Sequence, residues 1–340
     1  MQDFRNLIVI GASAGGIPAI TKVLSGFSDK IDAAILVVLH VSRKSDSNVL
    51  ATIFQKHTSL QCGIATDGTK VRKGHVYVAP PEHQLMIKEN FLVVSTGTHE
   101  NKYRPSIDVL FRSAAVTYGN RTIGIVLTGL LEDGTSGMSA IKRSGGICII
   151  QDPSEAQYSD MPRSVRNKIK VDHQARLDDI PGIVLSVISA PLPPETEIPT
   201  ELRIEADITE KMMSSIDDLK KIADHSDFVC PDCGGGLWAV KNDPLHRYRC
   251  HTGHVYTERL LHDIQDDNIE ESIWISIRML EEKRNLLLLM SQHENEDGEQ
   301  EISAGYRKRV NETTRHINTL KSFLAKLTED LQDAQPKPEV

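Results

Sequence analysis

The sequence predicts an α/β protein whose front half is a doubly wound, mostly parallel sheet. Through residues 1–190, short β-branched or apolar runs alternate with helix-like stretches, the pattern of an open sheet covered on both faces. Several runs are nearly continuous hydrophobic strings, as strands buried on both faces require. The strand runs are Leu7–Ile10, Ala34–His40, His75–Ala79, Leu85–Lys88, Phe91–Ser95, Thr122–Thr128 and Gly146–Gln151. Between them Gly16–Gly26, Ser47–Lys56, Ser106–Tyr118, Ser136–Ser144 and Ile180–Ser189 read as helices. The pair His75–Ala79 and Leu85–Ser95, with APPEH and Glu89-Asn90 as turns, reads as an antiparallel hairpin inserted into this frame.

Composition sets the outer bounds. A chain of 340 residues holds about two domains. Its 39% hydrophobic and 25% charged residues allow a packed core and exclude a collagen-like or wholly disordered chain. Lys plus Arg is 39 and Asp plus Glu is 47, a net charge of −8 that hides two unlike halves. Residues 1–190 carry 21 basic and 17 acidic groups, a net of +4, whereas residues 191–340 carry 18 and 30, a net of −12. Neither half is basic enough to predict a nucleic-acid surface. No apolar run approaches the ~20 residues of a membrane span. The N-terminus enters a strand-like run without the charge and apolar order of a signal peptide, so no membrane insertion is expected. Five cysteines, three of them in a metal-like pattern, argue against a disulfide scaffold and for a reducing cytoplasm.

Ligands on open α/β sheets bind beyond the carboxyl ends of the strands. Three such ends carry chemistry here. The first strand runs into Gly11-Ala12-Ser13-Ala14-Gly15-Gly16, which contains G-x-S-x-G. Its glycines permit a tight strand-to-helix turn that exposes a hydroxyl near helix-start N–H groups. The second strand ends on His40, and Asp133 follows the strand IGIVLT in the segment Gly129 to Gly134. Ser, His and Asp on neighbouring strand ends can form a triad that activates the hydroxyl. Each also has an ordinary reading: a dinucleotide-binding turn, a structural histidine, a helix-cap aspartate. For the dinucleotide reading, Asp29 or Asp32 stands near the distance of a ribose-binding acid. Against it, no Tyr is followed four residues later by Lys, the pair of short-chain dehydrogenases. The order Ser…His…Asp also differs from that of α/β-hydrolases. The joint occurrence favours catalysis.

At these residues the front half resembles the catalytic domain of CheB, the chemotaxis protein-glutamate methylesterase. The family's G-A-S-[TA]-G-G turn matches Gly11 to Gly16, its strand-end histidine matches His40, and its T-G-M-x-x-D-G segment matches Thr128 to Gly134. VYVAPPEHQL at 76–85, RPSIDVLFRSAA at 104–115 and QDPSEAQYSDMPRSV at 151–165 match in the same order. The resemblance implies a serine esterase acting on glutamate methyl esters of a chemoreceptor-like protein, with protein-glutamine deamidation as a second activity. It implies Ser13 as nucleophile, His40 as general base and Asp133 as its orienting partner, with no cofactor for catalysis. Backbone N–H groups at Ala14 and Leu130 are candidate oxyanion donors, and Arg104 a candidate substrate contact. The sequence departs from the family in having Ala14 where many members have Thr, and Leu130 and Leu131 where Met and Gly are frequent. With the serine at position 13, the receiver domain of the usual layout is expected to be missing. A cognate receptor methyltransferase and other signalling proteins are the implied partners. A low-activity regulatory or assembly protein that retains the fold is the alternative.

The back half reads differently. Residues 191–228 open with prolines and acids and are expected to form a flexible or extended linker, with a short amphipathic helix around Met212–Ala223. Cys230-Pro-Asp-Cys233 and, further on, Cys250-His251-Thr-Gly-His254 have the donors and spacing of a zinc-ribbon-like knuckle at 229–257. His254 is favoured over His251 because adjacent residues seldom share one ion, and four protein ligands make the site structural. Cys62 and Cys148 read as buried thiols. No basic helix follows, so a DNA-binding finger is disfavoured. From 258 to 335 an α-helical hairpin is predicted, with one stripe through Ile273, Ile277, Leu280, Arg284 and Leu287. A second stripe runs through Val310, Thr313, Ile317, Leu320, Leu324, Leu327 and Leu331, and the acidic break at Glu294–Glu301 separates the two helices.

Overall fold

The computed structural model describes residues 4–41, 47–212 and 215–334, which form two compact units divided after Leu260. In the first unit seven parallel strands make one sheet: β1 (Asn6–Ala12), β2 (Ala33–Leu39), β3 (Gln61–Ile64), β4 (His75–Val78), β7 (Thr122–Val126), β8 (Ile147–Gln151) and β9 (His173–Ala175). Their order is β3-β4-β2-β1-β7-β8-β9, with β5 (Gln84–Lys88) and β6 (Phe91–Ser95) forming a separate antiparallel pair. β1 and β2 are buried at every position, which is why their sequences show no alternation. Leu7 and Val9 face the layer that holds Phe111, Met138 and Met161. Ile8 and Ile10 face the opposite layer with Ile20, Val23 and Val184. The first layer contains α3 (Ile107–Tyr118), α4 (Thr135–Arg143) and α5 (Asp160–Lys168); the second contains α1 (Gly16–Ser25), α2 (Ser47–Gln55) and α6 (Ile180–Ser189). The chain winds outward from β1 in both directions, so the switch point lies at the carboxyl ends of β2, β1 and β7.

Two expectations are corrected. His75–Val78 is not half of a hairpin: β4 lies parallel between β2 and β3 in the main sheet, and the hairpin is β5 with β6 alone. The APPEH turn does not reverse one pair of strands; it carries the chain out of the sheet to β5. The segment 191–228 is also more than a linker. Beyond its Pro-rich opening it forms α7 (Thr200–Lys211), α8 (Ile216–Ile222) and β10 (Ala223–Val229). α7 buries Leu202, Glu205, Ile208 and Thr209. Its acidic composition suggested solvation, yet Glu205 is consumed by buried arginines: Arg112 at 3.1 Å and Arg247 at 2.9 Å.

β10 is the first strand of a second, antiparallel sheet, followed by β11 (Gly236–Val240), β12 (Arg247–Cys250) and β13 (Val255–Thr257). From there α9 (Glu258–Glu296) leads into the second unit. That unit is an antiparallel pairing of α9 with α10 (Gln300–Ala334), in which Ile273, Ile277 and Leu280 meet Ile317, Leu320 and Leu324. Across the turn end Ser291 and Ser303 bond at 2.9 Å, and midway Lys321 pairs with Glu281 at 2.8 Å. The side chain of Leu331 and residue 335 lie outside the described residues. No helix among the described residues is long and apolar enough to cross a membrane.

Candidate active site

Ser13 follows β1 directly. Its N–H donates to Thr128 O (3.0 Å) and its carbonyl accepts from Gly16 N (2.9 Å), which closes the turn. Gly15 sits at φ 75°, a left-handed position that glycine occupies without strain. His40 follows β2, and its N–H donates to Ala12 O at 3.1 Å, tying the two strand ends together. Gly129, after β7, packs onto the serine. A methyl group there would fall inside van der Waals contact of Met161 Sδ and 2.8 Å from Ser13 Cβ. Gly129→Ala is therefore expected to push Ser13 aside and cut turnover about 100-fold, and to lower the melting temperature by a few degrees as the buried Met161 is displaced. Steady-state kinetics beside a thermal scan checks this.

The His40 ring is held on two sides. Its Nε2 bonds Asp133 Oδ2 at 2.9 Å, and its face stacks on Tyr103 with ring centroids 3.6 Å apart and planes within 7°. Its Nδ1 is buried and has no hydrogen-bond partner among the described residues, so it is the nitrogen left to accept a proton. Ser13 and the ring are thus not hydrogen-bonded in this conformation, a common state of catalytic pairs before substrate binds.

Asp133 is 2% exposed and accepts from five groups. Besides His40, these are Ile107 N (2.7 Å), Ser106 Oγ (2.9 Å), Asp108 N (3.3 Å) and Asn101 Nδ2 (3.4 Å). Three of these belong to the start of α3, so Asp133 caps that helix from another loop. The favour is returned. Asp108 Oδ1, on α3, accepts from Gly134 N (3.0 Å) and Gly137 N (2.6 Å) at the start of α4. Burial works to raise the Asp133 pKa, but the His40 bond and the α3 donors outweigh it and hold the carboxyl below its usual range. Asp108 goes the other way: burial first, and then the charge on Asp133, push it well above that range.

The two signs have separate consequences. Asp133 contributes stability above the ordinary carboxylate pKa and loses it as pH falls through its depressed folded value. Asp108 takes up a proton on folding, so stability declines as pH rises from the ordinary carboxylate range toward its elevated folded value. Asp108→Asn keeps the Oδ1 acceptor and removes that titration. Its melting temperature relative to wild type is expected to climb by a few degrees between about pH 4 and pH 7. A flat difference across thermal scans at several pH values would contradict the assignment.

The remaining predicted positions fall as follows. Ala14 is in the turn, and its carbonyl accepts from Thr128 Oγ1 at 3.0 Å. Leu130 follows Gly129, whose N–H is fixed on Tyr158 O (2.9 Å) and whose carbonyl accepts from Met161 N (3.1 Å). The side chains of Leu130 and Leu131 are exposed. Arg104 is braced by Glu82 at 3.0 Å and by the carbonyls of Thr96 and Gly97. It lines a cleft of about 290 Å³ together with His40, Glu82, Lys102 and Tyr103. Sequence reasoning missed Asn101, Tyr103 and Asp108; only Asp108 lay within a matched motif, RPSIDVLFRSAA.

Away from the sheet, Cys230, Cys233, Cys250 and His254 place four ligand atoms within 4.8 Å of one another. His254 directs Nδ1 at the sulfurs of Cys250 (3.6 Å) and Cys230 (3.7 Å), and His251 is not in the group. Two tight turns build the cluster, closed by Gly234 N on Cys230 O (2.9 Å) and Gly253 N on Cys250 O (3.1 Å). Three soft thiolates and an imidazole converging on one point fit a tetrahedral zinc ion. None of the five cysteines is in a disulfide.

Fold and strand-end cluster together define a doubly wound α/β domain that gathers Ser13, His40 and Asp133 at the carboxyl ends of adjoining strands. Comparison with known proteins makes this specific. Residues 8–184 match the family model described as CheB methylesterase. A provisionally named protein-glutamate methylesterase/protein-glutamine glutaminase of Leptospira interrogans is 38% identical over 174 residues, 51% of this chain and 90% of the relative. A protein-glutamate methylesterase/protein-glutamine glutaminase of Methanosarcina mazei is 32% identical over 192 residues, 54% of this chain and 52% of the relative. The crystal structure of the Thermotoga maritima CheB methylesterase catalytic domain superposes with a TM-score of 0.51 at 28% identity, covering 53% of this chain and 97% of that one. The chain belongs to the CheB methylesterase family, whose members hydrolyse carboxylic esters.

Proposed function

We propose that the protein hydrolyses glutamate methyl esters on a chemoreceptor-like protein, with Ser13 as nucleophile, His40 as base and Asp133 as its orienting partner. The observation that carries this reading is the buried His40–Asp133 bond of 2.9 Å at strand ends adjoining the Ser13 turn. Ser13 Oγ attacks the ester carbonyl as His40 Nδ1 takes its proton. Backbone N–H groups at Ala14 and Leu130 face the developing oxyanion, a role worth about 3 kcal/mol per donor in serine hydrolases. His40 then returns the proton to the departing methoxide, and methanol leaves. Water, activated by the same ring, hydrolyses the acyl-serine to the glutamate carboxylate. Arg104, braced at the cleft wall, contacts the substrate. A glutamine amide follows the same route with ammonia as the leaving group, so deamidation is a second activity of one site. Asp133 remains ionised throughout, because its five donors favour the charged form and stabilise the imidazolium that forms beside it.

Zinc at Cys230, Cys233, Cys250 and His254 supplies a structural cross-link, since four protein ligands leave no position for substrate. The chemistry needs no cofactor. A reduced cytoplasm suits the thiols, and a receptor methyltransferase is the natural opposing partner. Methanol release from methylated receptor cytoplasmic fragments tests the activity. Labelling of Ser13 by a fluorophosphonate, lost in His40→Ala, tests the roles; unlabelled wild type would refute them.

A further inference from the structure

The cysteine–histidine cluster is not a free-standing appendage. Val255, the residue after the ligand His254, pairs with the loop that carries Asn101 and Tyr103. Asn101 N donates to Val255 O at 2.8 Å, and Val255 N to His99 O at 3.4 Å. Two residues earlier, Gly253 lies so close to Thr98 that a methyl group would stand 2.7 Å from Thr98 Oγ1. Glu100, between these contacts, is buried and paired with Arg112 (2.7 Å) and with Arg249 of β12 (3.3 Å). Breaking such a buried charge network leaves uncompensated ions, so the small sheet is held firmly against this loop.

The same loop reaches the catalytic pair. Asn101 is 5% exposed, and its Nδ2 points between Asp108 Oδ2 (3.2 Å) and Asp133 Oδ1 (3.4 Å). Asn101 and Lys102 both lie in the left-handed region, at φ 54° and 66°, as the central pair of a tight turn closed by Tyr103 N on Glu100 O (2.9 Å) and Glu100 N on Tyr103 O (3.3 Å). Among the described residues, Val255 is the backbone partner of Asn101. Two residues on, Tyr103 covers the His40 ring.

Taking the esterase and zinc readings above as given, we propose that Asn101 is a positioning residue for Asp133, and that metal binding at Cys230, Cys233, Cys250 and His254 is what holds it there. The metal joins the two ligand turns and thereby fixes the start of β13. β13 fixes the placement of the turn at residues 100–103, and that placement sets both a donor to Asp133 and the stacking face for His40. Without the metal, β13 no longer anchors the turn, the turn shifts from the catalytic pair, and that pair loses two of its supports. Esterase turnover therefore depends on an ion that never meets the substrate.

The full-length protein is compared zinc-loaded and after chelation under reducing conditions. Zinc content, hydrogen exchange over 98–105, and kcat per site titrated with a fluorophosphonate are measured. Stripping is expected to accelerate exchange at 98–105 about tenfold or more and to lower kcat about 10- to 100-fold with KM nearly unchanged. Restoring zinc reverses both. Asn101→Ala, which removes no ligand and keeps the backbone bond to Val255, should keep its zinc, show the lowered kcat already when loaded, and lose little more on stripping. If stripping unfolds the chain, this variant decides alone: wild-type kcat per titrated site would overturn the proposal. Methanol release indifferent to metal would refute the coupling and leave the esterase reading intact. Metal-dependent protection of 98–105 in a protein that releases no methanol would support the coupling and refute the esterase reading.

Discussion

Alanine at position 13 is expected to abolish methanol release, by about 10⁴-fold or more, while leaving melting temperature and zinc content unchanged. The size of the effect follows from what the serine does. In the proposed mechanism it forms the covalent bond, and removing it leaves only binding and electrostatic stabilisation to assist direct attack by water. The absence of a stability cost follows from the turn, whose hydrogen bonds to Thr128 and Gly16 use the Ser13 backbone and survive the change. Methanol quantification beside a thermal scan checks both halves. Release persisting in Ser13→Ala would remove the nucleophile assignment altogether.

Asp133→Asn is expected to fail in two separable ways. An asparagine can keep an acceptor toward Ser106 Oγ and Asp108 N, but its amide NH₂ then faces Ile107 N and His40 Nε2, which bond the present Oδ2. The ring is left with the wrong tautomer, and in serine hydrolases that error lowers kcat about 10⁴-fold. At the same time a donor confronts the buried Ile107 N–H at the start of α3, a cost of about 1–3 kcal/mol. Kinetics should show the first effect, and chemical denaturation the second. Loss of activity without loss of stability would mean that the cap on α3 is dispensable.

How much of this was legible depended on whether the signal was local. β1 and β2 were plain because continuous apolar strings have few other uses, and Ser13, His40 and Asp133 were found by reading along strands to their ends. β3, with the sequence QCGI, and β9, with HQA, are too short and polar to carry a pattern, and they lie at the two edges of the sheet. α5 carries Pro162 and a charged surface that hide its three buried residues. α7 was misread because its acidic character is answered by Arg112, Arg247 and Arg249, which lie on other elements. Tyr103 and Asn101 were invisible for the same reason: their turn closes on itself, but its contacts lie on Val255, His40 and Asp133, far along the chain. The cysteine motif, by contrast, carries its spacing within itself.

The mutual capping of α3 and α4 bears on how related chains should be read. Asp133, just ahead of α4, completes the start of α3, and Asp108 on α3 completes the start of α4, so the aspartate proposed to orient His40 is also a fastening of the fold. A copy of this protein that drifted out of enzymatic use would be free to lose the Ser13 hydroxyl, because the turn is closed by backbone bonds, but would still be selected to keep Asp133. Retention of the aspartate is therefore poor evidence of an active enzyme in a descendant. The serine and the histidine are the positions at which retirement from catalysis would first be written.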